Sequence, residues 1–188
     1  MPHLKSAWNI VIPHAWNWIL VTLFYMYLLT VGIGLLFFPN MVRIARKAAD
    51  QGTPPNVGDL FYFDDFADDA LTVIIQKMVI MAGLCLCLIG SPILALMLYW
   101  SMHLAADGLF APLDCIKAAF LYGKSNFLLT FVNIVVIHVV VYTAVFFTCG
   151  FGMLLGLPII IVALERLYRS ELPAILAAAD AAGIPRKA

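Results

Sequence analysis

Three long apolar stretches dominate the pattern of hydrophobic and polar positions along this chain. They cover residues 15–42, 70–106 and 125–164, and within them Lys77 is the one Asp, Glu, Lys or Arg. Because a helix rises 1.5 Å per residue, the third stretch would form a single helix about 60 Å long, twice the thickness of a bilayer core. The second stretch would be about 55 Å long as one helix. Both stretches are therefore predicted to turn back on themselves.

Each apolar stretch contains small or helix-breaking residues where a reversal is needed. The predicted helix-turn elements are Gly32 and Gly34, Gly90 and Pro92, and Gly150 and Gly152. Glycine ends a helix at low cost, and proline fits the first turn of the next helix. The first stretch, about 42 Å long as a helix, is either one tilted span or two short arms. Its similarity to the third stretch ("TVGIGLLFFP" and "TCGFGMLLGLP") favours two arms.

These patterns predict an all-α fold: a polytopic membrane helical bundle of about six membrane helices, arranged as three helical hairpins with short amphipathic interfacial helices. Five passes result if the first stretch crosses once. The chain reads as one integral membrane domain, residues 1–188, with repeat-like units at about 1–56, 57–108 and 109–172 and a short C-terminal tail at 173–188. The repeat rests on the three turns and on the related segments "LKSAW" and "IKAAF".

Composition and charge agree with a membrane location. The chain is 64% hydrophobic and 12% charged, whereas soluble domains are nearer 45–50% apolar and about 25% charged. Its formal net charge is zero, which argues against a nucleic-acid partner. Lys and Arg concentrate at residues 43–47, 117–124 and 166–187, between the predicted hairpins. By the positive-inside tendency, these loops and the C-terminus are predicted to face the cytoplasm.

Three segments carry a resemblance to a known family: "TPPNVGDLFYFDDF" (53–66), "ADGLFAPLDCIKAAFLYGKSNF" (106–127) and "CGFGMLLGLPIIIVALERLYR" (149–169). They resemble a broad family of small uncharacterised bacterial multi-pass integral membrane proteins, which is similar to the membrane domain of glycerophosphodiester phosphodiesterases. The resemblance implies a helical bundle of about six membrane segments in the bacterial inner membrane. It does not imply the phosphodiesterase reaction, because the catalytic soluble domain is absent.

Four aspartates form the densest charged cluster in the sequence. Asp64, Asp65, Asp68 and Asp69 group along one flank of a predicted helix. The favoured interpretation is that they cap a helix start or pair with the basic residues at 43–47. Docking of a basic partner surface and binding of a hard cation remain open alternatives, although calcium requires six to eight oxygen ligands.

Three ionisable side chains fall within predicted membrane helices and are candidate intramembrane polar contacts. Lys77 is expected to extend its ammonium group towards the lipid headgroups. His103 and His138 are expected to be neutral and hydrogen-bonded between helices, with a proton relay as the alternative. We find no catalytic motif, metal-ligand spacing or cofactor fingerprint in the sequence.

The sequence thus predicts a non-enzymatic membrane scaffold or accessory subunit. Its expected partners are membrane lipids and either another membrane protein or a second copy of the same chain. The alternative function is a small transporter or lipid-handling protein, with a site between the broken-helix repeats. Broken helices at corresponding positions of repeats are typical of transport sites.

Overall fold

The computed structural model describes residues 2–86, 90–148 and 152–187, and within them it contains helices, turns and loops but no strand. The prediction of an all-α protein is confirmed. The α-helices are α1 (Pro2–Val11), α2 (Ala15–Thr30), α3 (Phe38–Gln51), α4 (Phe66–Leu86), α5 (Gly90–Met97), α6 (Ser101–Asp107), α7 (Pro112–Ser125), α8 (Phe127–Phe147) and α9 (Met153–Ala181). Short 3₁₀ helices cover Ile12–His14, Gly34–Phe37 and Val57–Phe61.

The chain divides into two compact units. Unit 1 comprises Met1–Tyr62 and Asn133–Arg169, and unit 2 comprises Phe63–Val132 and Ser170–Ala188. One boundary lies between Tyr62 and Phe63, in the loop before α4, and the other two fall inside α8 and α9. This division does not follow the three repeat-like units, so the single domain and its repeats stay predictions.

In unit 1, the chain reverses between α2 and α3. Gly32 adopts a left-handed conformation (φ 88°), and a 3₁₀ turn beginning at Gly34 leads into α3. The amide of Asn17, near the start of α2, donates to the carbonyl of Pro55 at 3.2 Å, so the segment after α3 has returned to the beginning of α2. The helix that follows the reversal, α3, is amphipathic, and its charged residues begin at Arg43.

In unit 2, α4 and α5 form an antiparallel pair. Gly90 and Pro92 lie in the first turn of α5. The amide of Gln76 on α4 donates to the carbonyl of Leu98 at 3.0 Å, just beyond the end of α5. A Cβ added at Gly83 would lie 2.5 Å from a methyl carbon of Leu94, so the absence of a side chain there permits close helix packing.

A second antiparallel pair, in unit 1, is formed by α8 and the first part of α9. Gly150 lies outside the described residues, while Gly152 directly precedes α9. A Cβ added at Gly156 would come within 2.9 Å of Val145 and 3.1 Å of Val141, which places α9 directly against α8.

The last helix includes most of the segment that the sequence analysis set apart as a C-terminal tail. α9 continues without interruption from Met153 to Ala181. Its final turns are rich in alanine, the strongest helix former, and Gly183 ends the helix in a left-handed conformation (φ 69°). The predicted tail at 173–188 is therefore largely the end of one long helix.

Two helical stretches of the described residues are long and apolar enough to cross a membrane. One is Pro2–Thr30, which joins α1 and α2 through a 3₁₀ turn and has a mean hydropathy of 1.3. The other is α8, with a mean hydropathy of 2.3 and only 22% of its most apolar window buried. Phe146 and Phe147 at its end are each 79% exposed.

Candidate functional site

The main polar site of unit 1 is built on α3. The apolar residues of this helix are buried on one face, and its charged residues Arg43, Arg46, Lys47 and Asp50 recur at helical spacing on the other. The sequence explains this division, since the two sets alternate with the period of a helix. The cationic side chains thus project from successive turns on the same side.

A buried carboxylate holds part of this flank in place. Glu165, 1% exposed, accepts hydrogen bonds from Nε of Arg46 at 2.8 Å and from Nε of Arg169 at 3.0 Å. Arg169 also reaches Asp50 at 3.1 Å, and Arg166 donates to the carbonyl of Ala49 at 2.7 Å. A cation at the C-terminal end of α3 is favoured by the helix dipole. These contacts join the first part of α9 to α3.

The loop after α3 closes over the basic flank. The Asn40 side chain, buried on α3, donates to the carbonyls of Leu60 at 2.7 Å and Tyr62 at 3.0 Å. Its oxygen accepts from Arg43 at 2.8 Å. The guanidinium of Arg43 lies 5.2 Å from the centre of the Tyr62 ring, a cation–π distance. Asn40 therefore positions both the aromatic loop and one cation.

These elements line a half-open cavity of about 480 Å³, which we call the basic cavity. Its walls are Arg43, Ile44, Arg46, Lys47, Asp50, Gln51, Gly58, Asp59, Phe61 and Tyr62. The volume lies within the range of small-molecule sites. Three cations and two carboxylates give the wall a net charge of +1. Such a wall suits an anion that carries an apolar part.

Sequence reasoning noted the basic residues at 43–47 and offered the four aspartates as partners, but it did not identify the contacts with Glu165, Asp59 and Asn40. Glu165, Asp59 and Asn40 complete the site, and Arg46 and Glu165 are 119 residues apart in the chain. The available signal was Glu165 itself, an isolated acid that ends 40 uncharged residues and is followed by Arg166 and Arg169.

Unit 1 contains a second cavity, which is almost entirely apolar. It also measures about 480 Å³ and lies between α1 and the α8–α9 pair. Leu4, Lys5 and Trp8 line it from α1. The opposite wall includes Gly152 and Gly156, which have no side chain, and Ala144, which has only a methyl group. Lys5 is the charged residue of this apolar cavity.

In unit 2, the predicted acidic cluster lies at the start of α4. Asp68 and Asp69 occupy the first turn, where negative charge is favourable, and Asp64 and Asp65 precede it. Asp69 is 2% exposed. Asp68 accepts a hydrogen bond from the Lys187 side chain, and this contact raises the pKa of Lys187. Partner docking by the four aspartates stays a prediction.

Cys115 is buried on α7 near this acidic cluster. Burial, with smaller contributions from Asp69 and Asp114, raises the pKa of the thiol to about 12. Its thiol donates to the carbonyl of Phe110 at 3.7 Å. A thiol that stays protonated is a poor nucleophile, so Cys115 acts as a packing residue.

A break between α5 and α6 was not expected from the sequence. The carbonyl of Leu98 accepts from the Gln76 amide at 3.0 Å and from the Ser101 hydroxyl at 2.8 Å. The same carbonyl also accepts from the backbone N–H of Ser101 at 3.1 Å, so the two side chains add to a tight backbone turn between the helices. Buried polar residues within the apolar stretch, Gln76 and Ser101, were the signal for this break.

The three predicted intramembrane polar residues have separate surroundings. His103 is 1% exposed on α6 and packs edge-on to Trp100, with ring centres 5.2 Å apart. Nδ1 of His138 lies 2.8 Å from the carbonyl of Ile134 in its own helix. Lys77 is half-buried on α4. Their proposed roles between membrane helices stay predictions.

Comparisons with protein-family models, with characterised proteins and with solved structures give no match to this chain. Among the described residues, no group of three His, Cys, Asp or Glu side chains is placed to hold a metal ion. The site therefore has to be interpreted from its own geometry.

Proposed function

We propose that this chain is a multi-pass protein of the bacterial inner membrane, with its basic loops and C-terminus in the cytoplasm. The family resemblance proposed from the sequence, to small bacterial membrane proteins related to the membrane domain of glycerophosphodiester phosphodiesterases, agrees with this location. The apolar, largely exposed surface of α8 supports a membrane environment, since such a surface is unfavourable in water. Unit 1 contains two helix reversals, α2–α3 and α8–α9. In each, the second helix carries a charged residue some distance from the turn: Arg43 on α3 and Glu165 on α9. That placement supports the two hairpins that we propose for unit 1. With the α4–α5 pair of unit 2 as a third hairpin, the proposal amounts to about six passes.

Within the membrane, we propose that the protein acts as a non-enzymatic scaffold or accessory subunit. The observation that carries this proposal is a stripe of exposed apolar residues on α4: Leu71, Ile74, Met78 and Met81. Their exposed fractions run from 47% to 66%, and they are spaced three, four and three residues apart. This is the spacing with which one helix packs against another. The stripe fits a helix of a second copy or of another membrane protein.

Cysteine cross-linking in native membranes tests the scaffold proposal. In a cysteine-free background and with an added oxidant, Met78→Cys is expected to form a disulfide with the same position of a second copy. A different partner protein is captured instead by a thiol-reactive photocross-linker attached at this position. The control is Leu128→Cys on α8, a residue that is 72% exposed and outside the stripe. Equal cross-linking at both positions, or none at Met78, would argue against a specific α4 interface.

A second candidate function is lipid handling or transport. The apolar cavity of unit 1 favours it, because the cavity lies beside Gly152, at a predicted helix break, and has Lys5 on its wall. Purification from the same membranes in mild detergent distinguishes the two functions. A transporter or lipid carrier should retain a stoichiometric ligand. A scaffold instead retains a protein partner or a defined oligomer.

A further inference from the structure

We propose that the basic cavity of unit 1 binds a phosphate ester anion, the group found in anionic phospholipid headgroups and in soluble sugar or glycerol phosphates. This inference rests on the proposed function, which places the cavity at the membrane surface. The scaffold role itself does not require the cavity. The chemistry of the cavity wall carries it.

The cationic residues of the wall are suited to phosphate. Arg43 and Arg46 project from successive turns of α3, and Lys47 follows directly. Guanidinium groups bind phosphate through paired N–H donors, and lysine adds a point charge. Asn40 and Glu165 hold the two arginines at 2.8 Å each, so these side chains are ordered before a ligand arrives. Ordering in advance lowers the entropic cost of binding.

The carboxylates of the wall do not prevent anion binding. Asp50 accepts from Arg169 at 3.1 Å, and Asp59 accepts from Lys47 at 3.3 Å. The Lys47–Asp59 pair is exposed, with 48% and 32% of the two side chains accessible. Exposed pairs of this kind contribute about 0–1 kcal/mol. Lys47 can therefore exchange Asp59 for a phosphate at small cost.

The remaining walls suit the apolar part of a lipid. Ile44, Phe61 and Tyr62 line the same cavity. Phe61 packs edge-on against Phe24 of α2, with ring centres 5.6 Å apart, so the apolar wall is continuous with a proposed membrane helix. Basic pockets beside membrane helices on the cytoplasmic side are typical sites for anionic headgroups. Of the two sources of phosphate, the lipid headgroup fits these walls better.

Binding to the detergent-purified full chain tests the proposal. The probes are dioctanoyl phosphatidylglycerol, dioctanoyl phosphatidylcholine and glycerol 3-phosphate, with affinity followed by tryptophan fluorescence. The double variant Arg43→Gln/Lys47→Gln removes two cations from the cavity. We expect it to weaken phosphatidylglycerol binding about tenfold or more, given the usual strength of charged hydrogen bonds.

A matched control removes the same charge elsewhere. Lys117→Gln/Lys124→Gln changes two lysines of α7 that do not line the cavity, and it should leave the affinity within about twofold. If the cavity double variant does not fold, Lys47→Gln alone serves, because its side chain is exposed. Elution volume and helix content show which variants are folded.

Each outcome bears on the proposal. Tighter binding of phosphatidylglycerol than of either other probe identifies a lipid headgroup site, whereas equally tight glycerol 3-phosphate binding identifies a soluble phosphate ester. Equal affinity for phosphatidylcholine, or equal losses in both double variants, would overturn the phosphate site. The cavity variants are also made in the Met78→Cys background. If they still cross-link while the phosphate site is disproved, the scaffold function stands and only the phosphate proposal has failed.

Discussion

Replacing Glu165 with alanine is expected to destabilise the protein by about 3–5 kcal/mol, because it removes the acidic partner of a buried ion pair. Glu165 is 1% exposed and accepts from both Arg46 and Arg169, while the Arg46 side chain is only 17% exposed. Without the carboxylate, Arg46 keeps a positive charge in a poorly solvated position. Glu165→Gln, which retains an acceptor oxygen, should lie between alanine and wild type.

The measurement is the unfolding free energy in mild detergent, obtained by SDS titration and followed by circular dichroism. Asp114→Ala is the matched control. Asp114 pairs with Lys117, whose side chain is 63% exposed, so its loss should cost about 1 kcal/mol or less. If the two variants were equally stable, Glu165 would not organise the α3–α9 contact.

A methyl group added at Gly123 is expected to destabilise unit 2 by about 1–3 kcal/mol or more, the range for overpacking a filled interior. Its Cβ would lie 2.4 Å from the carbonyl oxygen of Met97 and 2.7 Å from the Met97 Cα. These are backbone atoms, which cannot move aside as a flexible side chain can. The helices α5 and α7 would have to separate.

Gly58→Ala provides the comparison for Gly123→Ala. The nearest atom to an added Cβ at Gly58 is a side-chain oxygen of Asn56 at 3.4 Å, so this substitution should change stability by about 0.5 kcal/mol or less. Both variants are measured in the same SDS titration. Similar stabilities for the two alanine variants would mean that α5 and α7 are not packed through Gly123.

The all-α fold and the reversals at Gly32 and Gly90 were predictable from the sequence, because chain length and helix rise limit the course of the helices. A run of 40 uncharged residues is too long for a single membrane crossing, so the chain has to turn within it. The positions of the glycines indicate where the turn lies. α2 ends just before Gly32, and α5 begins at Gly90. The break between α5 and α6 was not predicted, since no glycine or proline marks it. The Leu98 carbonyl at this break accepts from the side chain of Gln76, which is 22 positions away, and such a tertiary contact is not visible along the sequence.

The candidate site was predictable only in part. The basic residues at 43–47 are visible as a cluster, but their partners depend on which helices meet. Asp59 and Glu165 are identified as partners only once the loop and α9 are placed against α3. The sequence drew attention instead to the four aspartates, because local density of charge is visible along a chain and tertiary pairing is not.

The central proposal, that α8 crosses a membrane as one arm of a hairpin, is tested most directly by labelling its two flanks. In a cysteine-free background, Lys124→Cys and Thr148→Cys are treated in intact cells with a maleimide that cannot cross membranes. α8 is 21 residues long, about 32 Å, which is sufficient to separate the two flanks by a bilayer. We predict labelling at Thr148→Cys in intact cells and at Lys124→Cys only after the membrane is permeabilised. Labelling of both positions from the same compartment would contradict the crossing and the arrangement of hairpins that depends on it.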